Sequence, residues 1–232
     1  MTAHALTVRD LDWAVTVLTR RRELLVEQAP IFWRPAPEAA KTHRAFIEHL
    51  LMDAGGKGYR TDASVLIAAP RGDGWLIDDA YVPEDHGANR DGQALWDALA
   101  ADCAGAAVRF VCPTYERERG EFARSVGLEL AESWWLVELE GSGGGQAGVE
   151  VELPGAAALT VGAPPVYAPP GPILFLPAPT EAARALPAAV EEAPKLGCAA
   201  IVVNQKADDS GLEAELTKAG FRQHCDYYTG TV

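Results

Sequence analysis

Residues 74–103 read GWLIDDAYVPEDHGANRDGQALWDALAADC, and this stretch decides the fold class. The apolar residues of 75–82 predict a strand, whereas Leu95, Leu99 and Cys103 recur at helical spacing. The stretch therefore predicts a strand, a loop and a helix in succession.

Small side chains occupy the place where this helix is expected to begin. The first backbone N–H groups of a helix lack partners within the helix, and the helix dipole adds partial positive charge there. Such an end binds phosphate or pyrophosphate without any basic side chain. Two alternatives stay open: the small residues form an ordinary turn, or Asp91 caps the helix and competes for the same N–H groups. The small residues are Gly87, Ala88, Asn89, Gly92, Gln93 and Ala94.

This arrangement resembles the GNAT superfamily of CoA-dependent N-acyltransferases, whose signature is Q/R-x-x-G-x-G/A. Residues 89–94 read NRDGQA, which keeps the glycine and the final small residue but has Asn89 where Gln or Arg is usual. The resemblance covers about residues 6–140. It implies an α/β fold with a mixed sheet, and acetyl-CoA as the cosubstrate of an N-acyltransferase.

The resemblance also implies which residues hold acetyl-CoA. The backbone at the end of the strand meets the pantetheine arm and the thioester carbonyl, and the loop after it holds the pyrophosphate. These assignments comprise Tyr81, Val82, Gly87, Ala88, Asn89, Arg90, Gly92, Gln93 and Ala94.

Acyl transfer to an amine also requires an acceptor for the proton of the ammonium group. The nearest candidates are Asp79, Glu84 and His86. Asp78 is adjacent to Asp79, so in a regular strand the two side chains point to opposite faces, and only one reaches the acceptor side.

The departing thiolate is often protonated in this family by a tyrosine on the helix that follows the next strand. The matching place here holds Phe122-Ala123, without a hydroxyl group. This leaves two hypotheses open: an N-acyltransferase acting on a small amine-bearing substrate, or a non-catalytic GNAT-like binding or scaffold protein.

Composition limits the classes of partner and compartment. The formal net charge is −13, which disfavours nucleic acid, because binding to nucleic acid needs clustered basic groups. No apolar run approaches the roughly 20 residues of a membrane span, and we expect a cytoplasmic protein. The four cysteines lack metal-ligand spacing and are expected to be core residues. We expect no metal site, and the oligomeric state stays open, a homo-oligomer included.

The remaining chain predicts a second, shorter half. We expect a GNAT-like domain over residues 1–140, a flexible glycine-rich linker over 141–148 and a truncated GNAT-like half over 149–232. Gly127 is followed seven residues later by Trp134, and Gly220 by Tyr227, which indicates a repeat.

The second half is expected to lack a phosphate site. Its strand-to-helix turn is Pro177-Ala178-Pro179-Thr180-Glu181, in which the prolines offer no N–H and the glutamate repels anions. Elsewhere, Gly58-Tyr59-Arg60 are the candidate third strand before the loop, and residues 128–131 and 134–139 predict a pair of strands.

Overall fold

The computed structural model describes residues 2–141 and 143–232, and at residues 86–89 it describes the backbone alone. The first half of the chain contains β1 (His4–Ala5), α1 (Leu11–Leu25), α2 (Ala39–Met52), β2 (Lys57–Arg60), β3 (Val65–Arg71), β4 (Gly74–Tyr81), α3 (Gln93–Cys103), β5 (Ala107–Pro113) and α4 (Arg117–Ser125). The second half contains β6 (Glu129–Glu138), β7 (Glu150–Leu153), β8 (Ala156–Val161), β9 (Ile173–Pro177), α5 (Ala182–Lys195), β10 (Ala200–Lys206), α6 (Ser210–Lys218) and β11 (Arg222–Thr231). The predicted mixed α/β class is confirmed.

The chain folds into two compact units that do not follow its linear order. The first unit comprises Met1–Leu25, Glu38–Leu130 and Tyr227–Val232, and the second comprises Val26–Pro37 and Ala131–Asp226. This division departs from the boundary expected at 141–148. The strand that follows α4 mostly joins the second unit, while the end of the last strand belongs to the first.

The first unit is an antiparallel meander that continues into a parallel pair. Its strands lie in the order β1-β2-β3-β4-β5, followed by the end of β11, and β4 and β5 run parallel because α3 connects them. Side chains of β3 alternate between two cores. Val65 and Ile67 pack with α1 and α2, whereas Leu66 and Ala68 pack with α3.

A β-bulge interrupts β4 at its two aspartates. Leu66 of β3 lies opposite Ala80, but Ala68 lies opposite Ile77, so β4 carries one extra residue between these pairs. Ile77 and Ala80 consequently face the same core. A bulge bends its strand and leaves backbone groups unpaired. The strict alternation that sequence analysis assumed for Asp78 and Asp79 therefore fails here.

The second unit has strand order β6-β10-β9-β8-β7, with the beginning of β11 next to β6. Helices α5 and α6 pack on one core of this sheet, and Phe32 and Trp33 belong to a second core that contains Leu136. His224 is fully buried, with its ring centroid 5.5 Å from that of Phe32 and 5.2 Å from that of Trp33.

The two halves repeat one supersecondary pattern. Helices α4 and α6 each have 9 residues, and each is followed by a glycine with positive φ, Gly127 at 86° and Gly220 at 82°. A left-handed glycine at this place ends a helix without strain. Strands β6 and β11 then follow, each 10 residues long.

The candidate third strand at 58–60 is confirmed as β2. The expected pair at 128–131 and 134–139 is instead one continuous strand, β6. Strand β8 was missed, because its run of alanines lacks the β-branched and aromatic residues that usually mark a strand.

The glycine-rich stretch is packed rather than loose. The N–H of Gly144 donates to the carbonyl of Pro170 over 2.8 Å, and that of Gly145 donates to the carbonyl of Gly197 over 3.2 Å. A Cβ on Gly145 would lie 1.9 Å from the carbonyl oxygen of Leu196. Glycine is required there because two backbones come together.

We predict that Gly145→Ala lowers the free energy of unfolding by roughly 3 kcal/mol, because an added methyl group overpacks the site. Urea denaturation measures this change. Gly211→Ala is the matched control: its Cβ would meet only Asp209 Oδ1 at 3.6 Å, within helix α6. Equal stability of the two variants would support a flexible linker instead.

We also predict a pH-dependent loss of stability from His224. Burial, together with the charge of Arg222, lowers the pKa of His224 to about 3. Below pH ~6.5 the unfolded chain binds a proton that the folded chain excludes, so stability falls with pH until the folded pKa is reached. We expect His224 to lower the free energy of unfolding by about 2 kcal/mol at pH 5.

His224→Phe keeps a ring of similar shape and should remove that part of the pH dependence in denaturation curves between pH 5 and 7. His49→Gln is the control, since His49 is exposed. An unchanged slope in His224→Phe would contradict the prediction.

Candidate active site at the end of strand β4

The parallel pairing of β4 and β5 stops just before the bulge. Its last pair is Ile77 with Phe110, although both strands continue for several residues. The backbone of β4 beyond Ile77 therefore has an open edge toward β5.

Arg119 of helix α4 occupies this open edge. Its Nη2 donates to the carbonyl of Asp78 over 2.6 Å, and its Nη1 donates to the carbonyl of Ala80 over 2.9 Å. The guanidinium carbon lies 4.8 Å from the ring centroid of Phe110, within cation–π range. Its Nε is buried and has no hydrogen-bond partner among the residues described.

Glu116 joins α4 to helix α1. Its carboxylate accepts two hydrogen bonds from Arg21, through Nε at 2.9 Å and through Nη2, and it also lies 4.0 Å from Arg119. Burial acts to raise the pKa of Glu116, but the charges of Arg21 and Arg119 outweigh it and hold that pKa below its usual value. The ion pair thus fixes the start of α4 beside the bulge.

Asp79 is held by a buried histidine. His43 of α2 lies with Nε2 2.8 Å from Asp79 Oδ2, and with Nδ1 2.8 Å from an Nη of Arg22. An arginine can only donate, so Nδ1 accepts, and Nε2 carries the proton that it donates to Asp79. His43 is therefore the neutral Nε2–H tautomer in this arrangement.

The two adjacent aspartates differ in their acidity. Burial opposes ionisation of Asp79, but His43, Arg21 and Arg22 outweigh it and lower its pKa. Asp78 is accessible to solvent, but partial loss of hydration among the surrounding protein atoms and the charge of Asp79 raise its pKa despite nearby Arg119 and Arg21. Asp78 is thus the carboxyl group whose protonation lies nearer to neutral pH.

The segment after β4 is helical instead of an open loop. A 3₁₀ turn at Glu84–His86 and a π-helical segment at Gly87–Gly92 lead directly into α3, and Gly92 itself has helical angles (φ −57°, ψ −46°). The helical path thus begins at Glu84, eight residues before Gly92. A π-helical segment often marks a functional site.

Asp91 is anchored to the turn before β3. Its Oδ2 accepts from the hydroxyl groups of Thr61 and Ser64, both at 2.9 Å, and Oδ1 lies 3.2 Å from Nε of Arg90. Burial acts to raise the pKa of Asp91, and these donors lower it below its usual value. Among the side chains that the structure describes, none caps α3 at Gly92, and a Cβ on Gly92 would lie 3.2 Å from the ring of Phe122.

The other predicted site residues lie along the same path. Tyr81 and Val82 are half-buried at the end of β4, Glu84 is exposed, and the side chain of Arg90 is 56% exposed. Gln93 donates to Asp97 over 2.7 Å, and Ala94 follows it in α3. The side chains of His86, Ala88 and Asn89, like position 87, lie outside the described residues, and the assigned roles stay predictions.

Solved structures show what this architecture is similar to. A GCN5-related N-acetyltransferase from Sphaerobacter thermophilus matches 99% of this chain and 95% of its own, with a TM-score of 0.54 and 9% identity. A tandem GNAT protein from the clavulanic acid biosynthesis pathway matches 99% of this chain and 98% of its own, with a TM-score of 0.51 and 15% identity. This chain has the GNAT fold.

The similarity extends over the full chain. A candidate acetyltransferase from Thermoplasma acidophilum matches all of both chains, with a TM-score of 0.62 and 10% identity. No family model matches the sequence, and no curated protein matches it. The GNAT fold is therefore visible in the structure at identities too low for sequence matching.

Among the described residues, no helix is long and apolar enough to cross a bilayer, and no group of three His, Cys, Asp or Glu side chains could hold a metal ion. All four cysteines are buried, which confirms their expected place in the core.

Sequence reasoning missed four residues of this site. Arg21, His43 and Arg119 lie on three helices and Glu116 immediately precedes α4, and this ordinary context carries no signal of what they contact. The one available signal was charge on apolar faces, since Arg22 and His43 fall at buried helical positions.

We predict that Asp79→Asn lowers the free energy of unfolding by about 2 kcal/mol, below the ~3–5 kcal/mol typical of fully buried pairs, because Asp79 is 21% exposed. Since its folded pKa is lowered, the stabilisation should be present at neutral pH and should disappear as pH falls through that pKa. Urea denaturation at several pH values measures both effects.

Asp78→Asn is the matched control and should not lower stability, because Asp78 is accessible and its raised pKa means that its charge opposes folding at neutral pH. Nitrogen NMR shifts of His43 should show a protonated Nε2 in the wild type. Equal destabilisation by both substitutions, or a protonated Nδ1, would contradict the anchoring role of Asp79.

Proposed function

We propose that this chain is an acyl-CoA-dependent N-acyltransferase that uses acetyl-CoA and a small amine as acceptor. The observation that carries the proposal is the open edge of β4 after Ile77, lined by Asp78 and Arg119 within a GNAT fold. An open strand edge offers backbone groups to an extended arm such as pantetheine.

The residues present fit the two ends of acetyl-CoA. The exposed guanidinium of Arg90 suits a pyrophosphate through its charge and its donors. Tyr81 and Val82 lie where the arm would continue toward Asp78. The buried Nε of Arg119 is a donor that still needs an acceptor, which an acyl group would supply.

Asp78 is our proposed acceptor for the proton of the amine. A general base works best when its pKa lies near the working pH, and Asp78 is the accessible carboxylate with a raised pKa. Asp79 is bound by His43, so we assign it to holding the bulge in place. Glu84, exposed in the turn after β4, and His86 stay alternative acceptors.

The second half supports a tandem arrangement whose cofactor site is lost. The repeat of α4 and α6 supports it, as does similarity to a tandem GNAT protein. At the start of α5, the N–H groups of Thr180 and Glu181 both donate to the carbonyl of Gly155. These two N–H groups are therefore not available to a phosphate, and the negative charge of Glu181 disfavours an anion at the start of α5.

The second hypothesis is a binding or scaffold protein without acyl transfer. Arg119 favours it, because the guanidinium already bonds to the carbonyl groups of Asp78 and Ala80. The absence of a hydroxyl group at Phe122 favours it too. Such a protein would bind acetyl-CoA or a similar ligand and release no thiol.

Two measurements test these proposals. Calorimetry measures the binding of acetyl-CoA, and an assay of thiol release over a panel of small amines measures acyl transfer. We expect micromolar binding and amine-dependent release. Asp78→Asn should lower kcat by about 10²–10⁴-fold with an unchanged Kd for acetyl-CoA. Asp73→Asn, in the exposed turn between β3 and β4, is the matched control.

Absence of binding by the wild type would overturn the transferase proposal. Binding without thiol release for any amine would support the scaffold hypothesis. Full activity of Asp78→Asn would show that a residue other than Asp78 accepts the proton of the amine.

A further inference from the structure

Arg119 places a buried positive charge at the reacting end of the proposed site. Its side chain is only 8% exposed, and burial of a guanidinium group is costly unless its donors are satisfied. The carbonyl groups of Asp78 and Ala80 and the nearby carboxylate of Glu116 offset part of this cost.

One donor of the group remains unsatisfied. Nε of Arg119 is buried without a hydrogen-bond partner in the described part of the chain, and such a donor destabilises the protein. A ligand that brings an acceptor oxygen to this edge would recover that cost. A thioester carbonyl is such an acceptor, and it becomes a stronger one as negative charge develops on it.

Resting on the proposed function, the geometry points to Arg119 as a catalytic residue that stabilises the negative charge developing on the thioester during acyl transfer. The amine nitrogen bonds to the carbonyl carbon and gives its proton to Asp78. The carbon–sulfur bond then breaks, and the electron pair leaves on sulfur as the CoA thiolate. Arg119 stabilises the oxygen and then the sulfur, and the thiolate takes its proton from water.

The neighbouring positions on α4 explain why this role falls to Arg119. Phe122 lies three residues further along the helix, on the same face, and has no group that donates a proton. Arg124 points elsewhere, with Nη1 2.5 Å from the hydroxyl of Tyr228. Arg119 is the arginine of α4 whose hydrogen bonds to carbonyl groups of β4 place it at this edge.

Arg119→Met tests the role, because it keeps most of the side-chain volume and removes charge and donors. We expect kcat to fall about 10²–10³-fold, while the Kd for acetyl-CoA in calorimetry changes by less than about threefold. Arg119→Lys keeps the charge and should retain an intermediate kcat. Arg124→Met is the matched control and should transfer as the wild type does.

Chemical rescue separates catalysis from structural support. Methylguanidine should raise kcat of Arg119→Ala and leave Arg124→Met unchanged, with thermal unfolding confirming that each variant is folded. A purely structural arginine would lower stability without this selective effect on kcat.

The outcomes distinguish the two proposals. A wild type that neither binds acetyl-CoA nor releases thiol overturns the proposed function and this inference together. A wild type that transfers, with Arg119→Met equally active, overturns the inference alone. Tighter acetyl-CoA binding by Arg119→Met with undiminished kcat overturns it as well, because Arg119 would then obstruct the arm.

Discussion

One extra residue in strand β4 creates the conditions for everything else at this site. With Ile77 and Ala80 on the same core face, the chain between them must bulge, and the strand bends. The pairing with β5 ends at Ile77, which opens a backbone edge inside the fold. A regular strand in this place would have continued the sheet and left no room for a ligand arm or for Arg119.

The bulge also separates two adjacent aspartates into different environments. Asp79 meets a histidine donor and two arginine charges and stays ionised, whereas Asp78 is crowded beside the charge of Asp79. Pairs of carboxylates whose pKa values are pushed apart commonly divide the work of a site between them. Here one residue is suited to anchoring the strand and the other to exchanging a proton.

Sequence alone predicted most helices and strands, β4 and α3 included, since their apolar spacing is regular. It could not predict the bulge, because residues 78 and 79 fit an alternating strand equally well. It also took the glycines at 143–145 for a flexible linker, although Gly145 allows two backbones to approach. The sequence shows that a glycine is present, but it does not show which backbone segment packs against that glycine.

Arg119 escaped sequence reasoning for a related reason. It lies about 40 residues after the carbonyl groups it binds, on a helix with many charged residues, where an exposed arginine is the ordinary expectation. Helix start signals at 92–94 were likewise present, but the chain extends the helical path back to Glu84. Contacts distant in sequence, rather than local preference, decide both features.

Stability does not explain the buried charges around β4. Replacing a buried ion network by apolar side chains is often neutral or stabilising, because charges lose their hydration on burial. Their role in holding neighbouring residues in place explains these buried charges better. Arg21 holds Glu116 at the start of α4, and His43 holds Asp79 in the bulge, so α1 and α2 fix both sides of the open edge. The reaction proposed for Asp78 and Arg119 needs neighbours held within fractions of an ångström, and this arrangement supplies that constraint.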